Sequence, residues 1–335
     1  MIQTLQLVAG ALSVLALVTM LVLVGRRLAL ARAERRHAVQ ERALRPLALA
    51  LVDGEEPAVG TGQERALASI LSRYARKLRG EGRAEITRFF EERGGVDREL
   101  RRLRSRRGSH RAAAAFALGD MGSLRAVDPL IAALDDRVRD VRSSAARSLG
   151  MLEAEAAVPR LVSSLAGREV PRAIAGGALL AIGASAAPAL RSLLSTGDPE
   201  VRASAAELIG FTGDAADAPQ VARALDDEAA EVRAAAARAL GRLGASASAA
   251  ELREALGDPA PFVRTAAAHA LGRVGDRDAF DALALVAQVD DYDPAQAAAH
   301  ALAAIDPRRT RDLGAREDAS AHLHEAAALS ELEPA

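Results

Sequence analysis

The chain has 335 residues, with 44 Lys plus Arg against 45 Asp plus Glu, and half of its residues are hydrophobic while only 2% are aromatic. It contains no cysteine, which excludes disulfides and thiol chemistry and fits a reducing compartment. A core of this kind is built from Ala, Leu and Val in closely packed helices, and the shortage of rings removes the stacking platforms that single-stranded nucleic acid needs.

From Met1 to Gly25 no side chain is charged, and Leu5 to Val24 is a run of mostly Leu, Val and Ala. About 20 such residues, rising about 1.5 Å each, cross a ~30 Å hydrocarbon layer, so residues 1–25 are expected to form a transmembrane helix that meets the lipid bilayer through residues 5–24. A cleaved signal peptide would carry basic residues ahead of the apolar run, whereas Arg26, Arg27, Arg32, Arg35 and Arg36 all follow it. This asymmetry predicts a single-pass protein of the inner or plasma membrane, with its N-terminus outside and the rest cytoplasmic. Ala9 and Ser13 make a small-xxx-small pair, too common a pattern to predict dimerisation.

Charge is divided along the chain. Residues 25–111 hold 22 basic against 12 acidic side chains, and residues 112–335 hold 22 against 33. A basic base is drawn to anionic lipid heads, and an acidic remainder extends away from them. Residues 26–62 read as a basic juxtamembrane segment and linker, irregular from 38 to 62 apart from the apolar run Leu47 to Val52, and broken at Gly60-Thr61-Gly62. Residues 63–108 read as a helical N-terminal cap or degenerate repeat, with helical periods over 63–79, 83–93 and 96–107. Its Phe89-Phe90 pair is expected in the core beneath the first helix pair rather than as an anchor for a partner. The Arg-rich stretch from Arg98 to Arg111 is interrupted by Glu99 and backed by acidic sequence, so no nucleic acid is expected.

From residue 109 an arginine recurs every thirty or thirty-one positions: Arg111, Arg142, Arg172, Arg202, Arg233 and Arg264, with Gln296 expected in the seventh place. After each comes an amphipathic helix, as in Val232, Ala236, Leu240 and Leu243. Gly119, Gly150, Gly210, Gly241 and Gly272 lie eight residues past an arginine, where a close helix approach is expected. Gly122, Gly183, Gly213, Gly244 and Gly275 lie eleven past, where a left-handed C-cap is expected. Pro129, Pro159, Pro188 and Pro219 mark the starts of second helices. Asp135, Asp136, Asp140, Asp198, Asp226, Asp227 and Asp258 precede the arginines as helix caps within reach of a neighbouring guanidinium. No single unit of this size buries its own apolar face, so the repeat predicts an all-α solenoid of about seven helix pairs over residues 109–313, followed by a polar C-terminal tail, 314–335.

The motifs Asp-Pro-Glu-Val-Arg at 198–202, Val-Arg-Ala-Ala-Ala-Ala-Arg-Ala-Leu-Gly-Arg-Leu-Gly at 232–244 and Arg-Ala-Val-Asp-Pro-Leu-Ile-Ala-Ala-Leu at 125–134 resemble bacterial HEAT repeats of the phycobilisome-lyase-like type. The resemblance covers roughly residues 109–306. It implies an Asp–Arg ladder between successive units, second helices lining a concave face, and a capping last repeat. The third unit departs from the pattern, because Val170-Pro171-Arg172 leads into Gly176-Gly177, and its first helix is expected to be weaker.

Catalytic constellations are missing from the sequence. A di-iron hydroxylase of this fold needs several His-Glu pairs, and only His324-Glu325 is present. His322 and His324 lack a third metal ligand, and His269 and His300 have no carboxylate or nucleophile at catalytic spacing. The expectation is therefore a protein that is not an enzyme, with no cofactor, metal or small-molecule substrate. It is expected to act as a membrane-anchored scaffold or adaptor whose concave face binds a partner protein. The alternative is an enzyme or enzyme subunit of the HEAT-repeat lyase type. Five and nine residues past each rung, side chains point away from the apolar stripe, which nominates Arg147, Met151, Glu207, Phe211, Arg238, Arg242, His269 and Arg273 as partner-binding residues; Arg, Met and aromatic side chains are enriched at interfaces. Proteins with this layout are similar to those of envelope or polysaccharide machinery, such as membrane glycosyltransferase complexes.

Overall fold

The computed structural model describes residues 19–20, 23–27, 39, 41–60 and 62–332, and the described residues form helices and turns without a strand. They divide into two compact units. One runs to Val96 and includes Asp120–Gly122; the other comprises Asp97–Gly119 and the residues from Ser123 onward.

In the first unit, α1 (41–52), α2 (Glu64–Ala75) and α3 (Glu81–Glu92) bury one stripe each, including Leu44 and Ala48, Leu67 and Leu71, and Ile86 and Phe90. The irregular linker expected over 38–62 is thus corrected. Leu44 and Ala48 lie one helical turn apart and are buried, and that spacing, rather than the run from Leu47 to Val52, sets the element. Phe89 and Phe90 are buried with ring centroids 5.6 Å apart, edge to face, in keeping with the core position expected of them. Helix α4 (Gly95–Arg102) leads into the second unit.

The second unit is a stack of helix pairs. Its first helices are α5 (Gly108–Met121), α7 (Arg139–Met151), α9 (Arg172–Ile182), α11 (Pro199–Thr212), α13 (Ala230–Leu243), α15 (Pro261–Val274) and α17 (Tyr292–Ile305). The intervening second helices are α6 (Val127–Ala133), α8 (Val158–Ala166), α10 (Ala187–Leu190), α12 (Ala218–Ala222), α14 (Ala249–Glu254), α16 (Phe280–Val289) and α18 (Pro307–Gly314). All of these but α18 are prolonged or preceded by 3-10 turns, such as Arg191–Ser195 after α10. Helix α9 has 11 residues where α11, α13, α15 and α17 have 14, which is the shortening that Pro171 and the Gly176-Gly177 pair predict.

Glycine sets how closely the first helices stack. A Cβ on Gly210 would stand 2.7 Å from Ala239 Cα, and one on Gly241 would stand 2.8 Å from Ala270 Cα. Each such glycine faces the residue six past the next rung: Ser148, Ala178, Ala239, Ala270 and finally Ala301. Counting back from Ala301, the seventh rung is Ala295, which is buried, and Gln296 stands one place beyond it. The assignment of Gln296 to the rung is corrected accordingly. Of the glycines eleven past a rung, Gly244 and Gly275 are left-handed C-caps as expected and Gly122 has positive φ, whereas Gly183, with φ 83° and ψ −142°, lies outside the left-handed helical region. Gly213 has a negative φ, −83°.

The arginine ladder is an ion-pair and carbonyl network. Arg111 Nε lies 2.6 Å from Asp136 Oδ2, Arg202 Nε 2.7 Å from Asp227 Oδ2, Arg233 Nε 2.6 Å from Asp258 Oδ2 and Arg264 Nε 2.6 Å from Asp290 Oδ2. In each, a second guanidinium nitrogen reaches the other carboxylate oxygen, so the pairs are bidentate. Each arginine also donates to a carbonyl six residues back: Ser105, Thr196, Asp227 and Asp258. The same aspartates accept from backbone N–H groups that open the next first helix, as Asp227 does from Ala229 N at 2.9 Å. The guanidinium hydrogen bonds hold Asp136, Asp227, Asp258 and Asp290 below the ordinary carboxylate value. A depressed carboxylate stabilises the fold fully above the unfolded value, near pH 4, and that contribution fades as pH falls through the lower folded value. Arg142 differs. Gly167 stands where an aspartate would be, and Arg142 donates instead to the carbonyls of Glu169 and Asp136.

The polar tail expected over 314–335 is also corrected. Residues Ala321–Leu332 form α19, which packs against α17 and α18 and buries Leu323 and Ala326. His322 sits edge to face on Tyr292 with centroids 4.9 Å apart, and His324 Nδ1 lies 2.9 Å from Ser320 O. Residues 5–24 lie for the most part outside the described residues. Among those described, the helical stretch long and apolar enough by length and composition to cross a membrane is Arg172–Ser195, within the stack.

Candidate docking face on the first helices

The eight residues nominated from the sequence all sit on first helices: Arg147 and Met151 on α7, Glu207 and Phe211 on α11, Arg238 and Arg242 on α13, His269 and Arg273 on α15. None is on a second helix, the side that the family resemblance assigns to the concave face. Four of the eight meet. Glu207 Oε2 lies 3.2 Å from Arg238 Nε and its Oε1 2.7 Å from Arg242, whose guanidinium carbon rests 4.0 Å above the ring of Phe211. Phe211 is 58% exposed, so the stacked guanidinium shields only one of its faces. Arg242 is half-buried with one guanidinium nitrogen lacking a hydrogen-bond partner, and it braces Glu207 and Phe211 together.

Arg147 is exposed on α7 and stands apart, because on the intervening α9 the equivalent positions are Gly177 and Ala181. Met151 is half-buried at the end of α7. The structure therefore splits the nominated set into a short α7 group and a continuous α11–α15 group.

Glu207, Arg238 and His269 of the continuous group line two adjoining grooves, while Phe211, Arg242 and Arg273 stand outside their lining. One, of about 620 Å³, is lined by Arg238, Phe262, His269, Asp293, Gln296 and His300 among others. Another, of about 380 Å³, lies between α11 and α13 and shares Arg238 and Phe262 with the first. Alanines at small-residue positions, among them Ala235, Ala266 and Ala297, form the floor, and this is why a groove exists there. His269 is exposed at the rim, yet partial burial of its ring, together with His300 and Arg273, pushes its pKa below the usual imidazole value. Among the described residues no group of three or more His, Cys, Asp or Glu is placed to hold a metal ion.

His300, Phe262 and Gln296 were not nominated from the sequence. The signal for His300 was present: Ala266-Ala267-Ala268-His269-Ala270-Leu271 recurs unchanged as Ala297 through Leu302, which puts His300 in the same row as His269 once Ala295 replaces Gln296 as the rung. Phe262 lies two residues ahead of its rung, in the first turn of α15, and so falls outside the rows five and nine places past it.

Residues 99–180 and 218–303, together half of the chain, match the HEAT repeats family. The chain belongs to the HEAT-repeat family. Solved structures similar to this HEAT protein include the complex of CpcE and CpcF of phycocyanin lyase from Nostoc sp. PCC7120, at 27% identity over 71% of this chain and 94% of that one, with a TM-score of 0.35. Human deoxyhypusine hydroxylase is similar at 21% identity over 80% and 97% of the two chains, with a TM-score of 0.33. Importin beta is similar at 15% identity over 76% of this chain and 43% of its own, with a TM-score of 0.54, a likeness of fold alone. No curated protein matches. The expectation that the chain is not an enzyme is corrected: a phycocyanin lyase complex and a deoxyhypusine hydroxylase stand among the similar structures.

Proposed function

We propose that the chain is a membrane-tethered scaffold that docks a partner protein on the first-helix face between α11 and α17, in service of a membrane or envelope complex. The Glu207, Arg238, Arg242 and Phe211 cluster carries this reading. It combines an exposed ring, a guanidinium stacked on it and a carboxylate shared by two arginines, beside a groove with an alanine floor. Exposed aromatic and Arg side chains in such a setting are the usual energetic centres of protein interfaces. Tethering is supported by the uncharged run of residues 5–24, the arginines from Arg26 onward, and the exposure of Met20, Leu23 and Val24 on a helix. In this reading residues 26–62 form the basic base and the HEAT array works in the cytoplasm.

Arg238→Glu combined with Arg273→Glu reverses two exposed charges while leaving Arg242 and the ladder in place. Purification of the full chain from native membranes in mild detergent is expected to show at least a tenfold loss of co-purified partner, about 1.4 kcal/mol or more, with an unchanged melting midpoint. Full recovery of the partner by the folded variant would remove this face from consideration. For the tether, a reporter fused after Ala335 is expected to stay on the cytoplasmic side; cleavage of the array by protease added outside intact cells would reverse the topology.

A further inference from the structure

Two parallel rows bound the groove. Five residues past the rungs run Glu207, Arg238, His269 and His300; two residues ahead of them run Glu231, Phe262 and Asp293. The rows are seven residues apart along each helix, about two turns or ~10 Å, with the alanine floor between them. One bank is basic. Its single carboxylate, Glu207, is neutralised by Arg238 and by Arg242 behind it, and Arg273 adds charge beside His269. The other bank is acidic but for Phe262, which is 48% exposed.

Ordinary helix physics explains part of this. An acid in the first turn is favoured by the helix dipole, and Glu231 and Asp293 both stand there. It does not explain an exposed ring at the equivalent place on α15, set between those acids. Nor is the groove saturated from within: the side chains of Glu231, Asp293, His269, His300 and Gln296 make no hydrogen bond and no close ion pair among the described residues, whereas those of the ladder arginines do.

We propose that this groove holds an extended segment of a partner protein, in which acidic and basic side chains alternate about one apolar residue seated on Phe262. The proposal rests on the docking face proposed above and adds the chemistry of its occupant. An extended chain sends successive side chains to opposite sides, so a strand crossing the helices presents one edge to the basic bank and the other to the acidic bank. First helices pack about 8–10 Å apart, so the crossing from α11 to α17 is about 27 Å, or roughly eight extended residues. An all-acidic segment meets Glu231 and Asp293, and an all-basic one meets Arg238 and Arg273; only the alternating pattern is complementary on both sides.

The test uses the full chain in mild detergent and three fluorescein-labelled nonapeptides with a central leucine, flanked by alternating Glu and Lys, by Glu alone, or by Lys alone. Fluorescence anisotropy is expected to show the alternating probe binding about tenfold or more tighter than either uniform probe, and Phe262→Ala weakening it about tenfold. Phe262 is exposed, so this variant keeps its fold. Equal binding of a uniform probe, indifference to Phe262→Ala, or no binding of any probe at about 1 mM overturns the proposal. Concentration-dependent self-association abolished by Phe262→Ala also overturns it, in favour of a second copy of this chain. If the probes fail while the native partner still depends on Arg238 and Arg273, only the peptide chemistry falls; if that dependence is lost as well, the docking face falls with it.

Discussion

Arg202→Ala is expected to lower the stability of the HEAT array by about 3 kcal/mol, read as a fall of roughly 6–12 °C in the melting midpoint. Arg202 is the most buried of the paired rungs, only 7% exposed, and its fork spans both oxygens of Asp227 while a third nitrogen donates to Thr196 O at 2.9 Å. Removing it leaves the Asp227 carboxylate half-buried without its cation, which costs more than the pair itself contributes. Lysine at this place is not expected to restore the midpoint, because a single ammonium cannot reproduce the bidentate geometry. Arg142→Ala supplies the contrast. That arginine holds only carbonyls, so no carboxylate is stranded and the loss is expected to be about 1 kcal/mol. Equal midpoints for the two variants in circular-dichroism melts would show that the aspartates do not carry the ladder's stability.

Gly241→Val is expected to cost about 3 kcal/mol or to prevent folding of the array. The new Cβ would lie 2.8 Å from Ala270 Cα and 3.0 Å from Ala270 Cβ, atoms fixed in the backbone of the neighbouring helix. The two helices must separate to admit it, and α13 and α15 are among the most closely packed pairs of the stack. Gly177 tests the same physics with the opposite sign. A Cβ there meets nothing within 4 Å, so Gly177→Ala in α9 is expected to raise stability by about 0.5–1 kcal/mol through helix propensity and lost unfolded-state freedom. If both substitutions move the denaturation midpoint the same way, close helix approach is not what glycine provides at these positions.

Most of the array is legible in the amino-acid sequence through the recurrence of one local text: Arg, then Gly eight and eleven residues on, then Pro near the second helix. Three places escape it. At the seventh rung, matching polar residue to polar residue selects Gln296, whereas the Gly272 to Ala301 approach selects Ala295. In the segment 41–52 the informative pair, Leu44 and Ala48, is masked by a more conspicuous apolar run. In the C-terminal segment the few apolar residues of α19 are spread among polar ones, and their burial depends on the faces that α17 and α18 offer.

The docking residues divide in the same way. Periodicity is enough to say that Arg238, Arg242, His269 and Arg273 point away from the core, because a helix repeats its direction every 3.6 residues whatever surrounds it. That Glu207 bridges two of the arginines, that Phe211 lies under the Arg242 guanidinium, and that His300 and Phe262 join the same groove is settled only by stacking. The sequence by itself determined the repeat, the ladder and the outward rows, since each depends on spacing within one unit. The tertiary structure decided the register of the last repeat and which outward residues become neighbours, since those depend on how closely one helix approaches the next.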